Sequence, residues 1–280
     1  MLKGEYPVRL LCEILDCAPS SYYYRSIRED DLLLREEIEK IVLQFPRYGY
    51  RRVTAELRRR GYRVNHKRVL RIMHEENLIL HVRSYLKTTL SNHHFGRYPN
   101  LIKDIQIVRP NQVWCGDITY IKLKKEYAYL SVLMDIFTRS IRGWQISASL
   151  DEELTISALM RALSRYGAPE IHHSDQGVQY ASKRYIQILR ERGVRISMAS
   201  KGNPLQNAYA ERLIRTLKEE EVYLNEYEDI QEARERIGYF LEEVYMKKRV
   251  HSALGYLTPL EFEQSWREKN RGFQRFSPTL

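Results

Sequence analysis

Three carboxylates stand in contexts where phosphate chemistry can be built. Asp175 closes the apolar run of Ile171-His-His-Ser-Asp-Gln-Gly-Val-Gln-Tyr180, and Glu211 lies in a helical pattern with 35 residues between the two. Asp117 lies upstream in Val113-Trp-Cys-Gly-Asp-Ile-Thr-Tyr-Ile-Lys-Leu123, whose β-branched and aromatic residues are those of a strand. Two aspartates on strands and a glutamate on a later helix form a donor set for Mg²⁺, a hard cation held by a few carboxylates, water and substrate phosphate. Two such ions, roughly 3.5–4 Å apart, activate the attacking oxygen and stabilise the leaving one during displacement at phosphorus. Any one of the 36 acidic residues is more simply a solvated or salt-bridged side chain, so the reading rests on the three together. Asp135 competes for the role, but it ends a strand where bonds to Thr138 or Arg139 account for it, and it is assigned to structure.

The surrounding pattern supplies elements to position these acids. Val113 to Leu123, Tyr127 to Phe137 and Ile141 to Leu150 read as three strands with short connections, an antiparallel meander. A helix over Glu152 to Tyr166, the approach to Asp175, a helix over Ser182 to Arg192 and a strand over Val194 to Met198 follow. This order matches a mixed five-stranded α/β sheet of the ribonuclease H type; in that fold the first and fourth strands are neighbours, which would place Asp117 beside Asp175. Glu211 belongs to a helix beginning near Pro204, on which Asn207, Glu211, Arg215 and Lys218 share one face. Arg215 and Lys218 are candidate phosphate contacts, Asn207 is placed to orient Glu211 or a water, and Lys201 lies in a turn-rich loop before them. Plain surface pairing of Glu211 with Arg215 is the bland alternative. His173 and Gln176 beside Asp175 either position phosphate or a ligand carboxylate, or, for the histidine, are simply buried and satisfied.

Ahead of this core, Val8 to Leu15 and a segment capped by Ser20 or Ser21, with Tyr22, Tyr23 and Tyr24, read as two short helices, either packing elements or the tip of a helix-turn-helix. Leu34, Ile38, Ile41, Val42 and Phe45 form a helical core stripe ended by Pro46. Val53, Thr54 and Leu57 mark a helix stopped by Gly61, and Asn65 caps another carrying Val69, Ile72 and Met73, a helix-turn-helix signature. From Arg47 to Arg71 ten Lys and Arg face one acid, Glu56. Arg51, Arg52, Arg58, Arg59, Arg60, Arg63, Lys67, Arg68 and Arg71 are therefore candidate contacts to a phosphate backbone. Residues 81–112 lose periodicity and read as a linker, whose His93-His94 lacks the partners of a zinc site.

The net charge of +10 fits a polyanionic partner. Cys12, Cys17 and Cys115 form no paired framework, which points to a reducing compartment. No apolar run approaches the ~18 residues of a membrane span. After the glutamate helix, Glu219 to Glu221 read as a solvated face and Ile230 to Val244 as an amphipathic helix. Lys247-Lys248-Arg249 reads as a basic patch, and Thr258-Pro-Leu-Glu261 as a helix start.

Trp114, Asp117-Ile-Thr-Tyr-Ile, His173-Ser-Asp-Gln-Gly-Val-Gln-Tyr, Lys201-Gly-Asn-Pro, Asn207-Ala-Tyr-Ala-Glu, Thr216-Leu-Lys and His251-Ser-Ala-Leu-Gly-Tyr-Leu-Thr-Pro resemble, in order, the second-frame transposase of the insertion sequence 3 family. The resemblance implies a retroviral-integrase-like catalytic core and a DDE DNA strand transferase, with Asp117, Asp175 and Glu211 holding two Mg²⁺ ions and Mn²⁺ tolerated. It implies double-stranded DNA, both element ends and target, as partner, a homo-oligomer on that DNA, and the first-frame product or fusion as a further partner, in a prokaryotic cytoplasm at the nucleoid. The expected division is a helical, basic DNA-binding region over 1–80, a linker over 81–112, the catalytic core over 113–225 and a helical extension over 226–280. Gly116 stands where this family commonly has Thr, and Val250 where Pro is common. A catalytically silent DNA-binding regulator is the alternative, and a stand-alone nuclease the third reading.

Overall fold

The computed structural model describes residues 7–20, 31–79, 98–200 and 204–270. The second short helix expected at Ser20 and the tyrosines, His93-His94 and Lys201 fall wholly or largely outside them. Helix α1 (Val8–Ile14) is followed by α2 (Leu32–Gln44), α3 (Tyr50–Arg59) and α4 (His66–Glu75). Leu34, Ile38 and Ile41 of α2 pack with Val53 and Leu57 of α3 and Val69, Ile72 and Met73 of α4 in one core. The turn between α3 and α4 passes through Gly61 at φ +91°, left-handed backbone that glycine adopts without strain. Asn65 caps α4 by accepting from the Lys67 amide at 2.9 Å.

The second body is a sheet with helices on both faces. Its strands are β1 (Val113–Lys122), β2 (Tyr127–Asp135), β3 (Ile141–Ser147), β4 (Ile171–Ser174) and β5 (Arg195–Met198), in the order β3-β2-β1-β4-β5. The first three form the expected antiparallel meander, while β4 runs parallel to β1 and β5 parallel to β4. Helices α5 (Glu152–Tyr166) and α6 (Lys183–Glu191) cover one face, packing on Trp114, Leu133 and Ile196. Gly143 lets α5 approach, since a Cβ there would meet the Ala158 carbonyl at 2.3 Å.

The other face receives α7 (Ala208–Glu220), entered through a short 3₁₀ turn at Pro204–Asn207, and α8 (Ile230–Tyr239), which runs on into a π-helical stretch over Phe240–Lys248. Ala210, Leu213 and Leu217 of α7 join Val113, Cys115 and Ile121 of β1 in that core. Residues 98–112, expected within the linker, lie partly against the sheet, with Leu101, Ile102 and Ile107 packed on the same core. Helix α9 (Pro259–Asn270) starts with the reciprocal cap read in the sequence: Thr258 N donates to Glu261 at 2.9 Å, and Glu261 N to Thr258 Oγ1 at 3.2 Å.

Candidate active site

Alternation along a strand sends every second side chain to one face. Val113 and Cys115 of β1 and Ile171 of β4 are buried on the α7 face, so Asp117 and Asp175, which keep the same parity, leave the sheet on that side. The last paired position of the two parallel strands is Cys115↔His173, and the two aspartates each follow it by two residues. Asp117 accepts from its neighbour's amide, Ile118 N, at 2.8 Å, and Asp175 from Gly177 N at 2.9 Å.

The helix carrying Glu211 is fastened to both strands at its start. Asn207 donates from Nδ2 to the Gly116 carbonyl at 3.3 Å, beside Asp117. His173, two residues before Asp175, is fully buried between Ser197 Oγ at 2.8 Å and the Gln206 carbonyl at 2.9 Å. A carbonyl only accepts, so Nε2 carries the proton; Nδ1 then accepts from Ser197, whose oxygen takes the Leu101 amide at 2.8 Å. His173 is thus the buried, satisfied histidine of the simpler reading, and burial lowers its pKa. Asn207, expected among the DNA contacts, is only 4% exposed, because the 3₁₀ turn tucks it under β1. Its Oδ1 is buried without a hydrogen-bond partner.

Gly116 also has a reason here: a Cβ would come within 2.8 Å of a Leu133 methyl and 3.1 Å of the Tyr180 hydroxyl. The buried Tyr180 ring fills the space that a larger residue before Asp117 would need.

The electrostatics tie the three acids together. Burial first, then the charge of Asp175 and more weakly that of Glu211, push Asp117 up to about 8. Lys218 opposes the rise; it is half-buried, 4.3 Å from the Tyr120 ring centroid, and burial lowers its own pKa. Arg215 is exposed one turn beyond Glu211. Among the described residues no group of three or more His, Cys, Asp and Glu side chains is arranged to hold a metal ion as it stands. The donor set nevertheless suits a hard divalent cation, being all oxygen and held near its own uncompensated charge.

Asp135 is structural, as expected, with a different cation. It is fully buried and accepts from Asn111 N at 2.6 Å, Thr138 N at 2.8 Å and Thr138 Oγ1 at 3.0 Å. Its ion pair is with Arg142 at 3.3 Å, not with Arg139, and Arg142 in turn bonds Glu263 of α9 at 3.0 Å.

The basic segment is less bare than its composition implies, because neutralising acids arrive from outside it. Arg68 and Arg71 pair with the buried Asp31, Arg59 with Glu261, Arg60 with Glu37 and Glu56, and Arg52 lies 3.6 Å from Glu220. Arg58 holds its own turn by donating to the Val64 carbonyl, and Arg51 lies beside the Tyr50 ring. Arg63 and Lys67 are exposed and carry no ion pair among the described residues. Two further expectations are corrected. Arg249 belongs to no surface patch, since its guanidinium makes two 2.7 Å bonds to Glu220, which is therefore no solvated acid. Glu221, also placed on that solvated face, accepts from Tyr227 at 3.2 Å.

A five-stranded mixed sheet with one acid inside its first strand, a second just past the adjacent parallel strand and a third on the helix packed over that face defines an integrase-type core. An integrase core domain model matches residues 108–204, a second integrase core domain model matches 192–259, and an HTH-like domain matches 28–84. The transposase for insertion sequence element IS904 of Lactococcus lactis is 37% identical over 243 residues, 83% of this chain and 94% of that one. Transposase InsF for insertion sequence IS3A of Escherichia coli is 31% identical over 274 residues, 93% and 95% of the two chains. Among solved structures, the HTLV-2 integrase catalytic core domain in complex with magnesium is similar at 22% identity and TM-score 0.46, covering 55% of this chain and 97% of that one. The chain belongs to the insertion sequence 3 family of transposases, with an integrase core and an HTH-like domain.

Proposed function

We propose that this transposase cleaves DNA strands at the ends of its insertion sequence and joins them to a target, using Asp117, Asp175 and Glu211 as ligands for two Mg²⁺ ions, with Mn²⁺ able to replace them. The observation that carries the reading is the shared level of Asp117 on β1 and Asp175 just past β4, under a helix whose start is bonded to the same two strands. Magnesium bound there would supply Lewis-acid polarisation of the phosphoryl oxygens and a more acidic attacking water or 3′-hydroxyl. The chain's own residues do the rest. Glu211 has to be drawn toward the aspartate pair to complete the ligand set, and Asn207 and His173 set the seat from which its helix makes that adjustment. Lys218, beside Asp117, balances charge developing on the phosphate, and the exposed Arg215 holds the DNA end. Phosphoryl transfer asks a protein mainly for positioning and electrostatic stabilisation, and this site is built for both.

Arg63 and Lys67 of the HTH-like region, with Arg51, contact backbone phosphate, and Lys201 contributes from the loop before Glu211. The DNA-binding region up to residue 80, the catalytic core over 113–225 and the extension over 226–280 then act on double-stranded DNA as a homo-oligomer, with the first-frame product as a further partner. Nicking of a supercoiled plasmid carrying the element's ends tests this: the wild type cuts with Mg²⁺ and stops with excess chelator, while Glu211→Gln binds and does not cut. Equal cutting by Glu211→Gln contradicts the assignment.

A further inference from the structure

Between the helical N-terminal region and the sheet lies a cavity of about 410 Å³ that none of the roles above uses. Its walls carry four guanidinium groups from distant parts of the chain: Arg52 on α3, Arg139 in the β2–β3 turn, Arg212 on α7 and Arg249 after the π-helical stretch. Among the described residues one carboxylate, Glu220, pairs with them, with two bonds to Arg249 and a 3.6 Å approach to Arg52. His251 lines the same space and adds no charge of its own, because burial and then the four arginines push its pKa down to about 2.

Arg139 is the sharpest feature. Its backbone sits at φ +62°, a left-handed conformation costly for a residue other than glycine, and its guanidinium stacks 4.2 Å from the Tyr209 ring centroid. In that position Nη1 is buried and has no hydrogen-bond partner. Buried polar groups nearly always find a partner, and a charged donor left bare in a cationic cavity calls for an anion.

We infer that this cavity binds one phosphodiester group of the DNA backbone. Guanidinium forks match phosphate oxygens in pairs, and all four cations here are arginines. Arg212 directly follows Glu211 on α7, and Arg52 belongs to the HTH-like region. A phosphate held between them fixes the duplex to both bodies at a set distance from the catalytic acids. The assignment rests on the reading of this chain as a DNA-binding transposase.

The test titrates a labelled random-sequence duplex with full-length wild type, Arg139→Gln and Arg212→Gln across a salt series, with Lys125→Gln, on the exposed β1–β2 turn, as control. Each cavity variant is expected to lower the slope of log affinity against log salt by about 0.9 and to weaken binding about tenfold at low salt, with the control unchanged. Folded variants with the wild-type slope and affinity overturn the assignment. Arg212, exposed at the mouth, carries the test if Arg139→Gln does not fold. Inorganic phosphate is run in parallel by thermal melting. If phosphate stabilises the wild type but not Arg139→Gln while DNA slopes stay equal, the cavity takes a free anion and the DNA assignment is overturned. Failure of the wild type itself to bind duplex overturns the proposed function, and this assignment with it.

Discussion

Asp117 and Asp175 each stand two residues past the Cys115↔His173 pair, the last rung of two adjacent parallel strands, so their carboxylates share one level on the α7 side of the sheet. The charge of Asp175 raises the pKa of Asp117, where the effect adds to burial. A divalent cation held there, as proposed, would relieve that repulsion.

That relief has a measurable pH dependence. Asp117 is raised from 3.8 to about 8, so between those values the folded, metal-free protein keeps a proton that the unfolded chain has released. Stability of the metal-free protein falls as pH rises through that window, and Mg²⁺ restores it. Below about pH 8 the apparent metal affinity should drop roughly tenfold per pH unit as the proton competes. Thermal melts with and without Mg²⁺ at stepped pH check this, and Asp117→Asn should abolish both trends.

Asn207→Ala separates positioning from stability. The change removes a 3.3 Å bond to the Gly116 carbonyl together with an oxygen that has no partner, so stability should move by less than about 1 kcal/mol. Nicking should slow on the order of 10²-fold, because the helix bearing Glu211 loses its seat on β1. Melting and single-turnover nicking on the same preparations report the two effects.

Glu263→Gln takes an acid from the fully buried Arg142 and should cost about 3 kcal/mol, the low end for a broken buried pair, since Asp135 remains. Activity per folded molecule should hold, as this cluster ties α9 to the sheet and lies apart from the proposed ligands. Urea unfolding with a parallel nicking assay decides it.

In the basic segment, Lys67→Gln should lower the salt slope of DNA binding by about 0.9 and leave stability within about 0.5 kcal/mol. Arg68→Gln should instead destabilise by roughly 1–3 kcal/mol, because Asp31 is buried and loses one of its two arginines. Fluorescence anisotropy and chemical denaturation distinguish the pair.

The strand meander was legible in the sequence because alternation and turn residues record it locally, whereas the level of Asp117 beside Asp175 followed only from matching the order of strands and helices to a known fold type. The helix stripes of Ile38, Val53 and Val69 were legible because their spacing is equally local. What escaped depends on partners far apart in the chain. Arg249 reads as part of a basic run until Glu220, on another helix, is found across from it. Arg68 and Arg71 look free until Asp31 arrives from the start of α2. Asn207 sits at helical spacing from Glu211, yet a 3₁₀ turn rotates it beneath β1, which no periodicity reveals. Its place inside the Asn-Ala-Tyr-Ala-Glu motif was the only signal.

The most direct measurement is metal-dependent strand transfer of a labelled element-end fragment by the wild type and by Asp175→Asn, at matched DNA occupancy. Joined product is expected from the wild type with Mg²⁺, and a loss on the order of 10³-fold in the variant with DNA binding retained. Equal joining by the two proteins, or none by the wild type even with the first-frame product added, contradicts it.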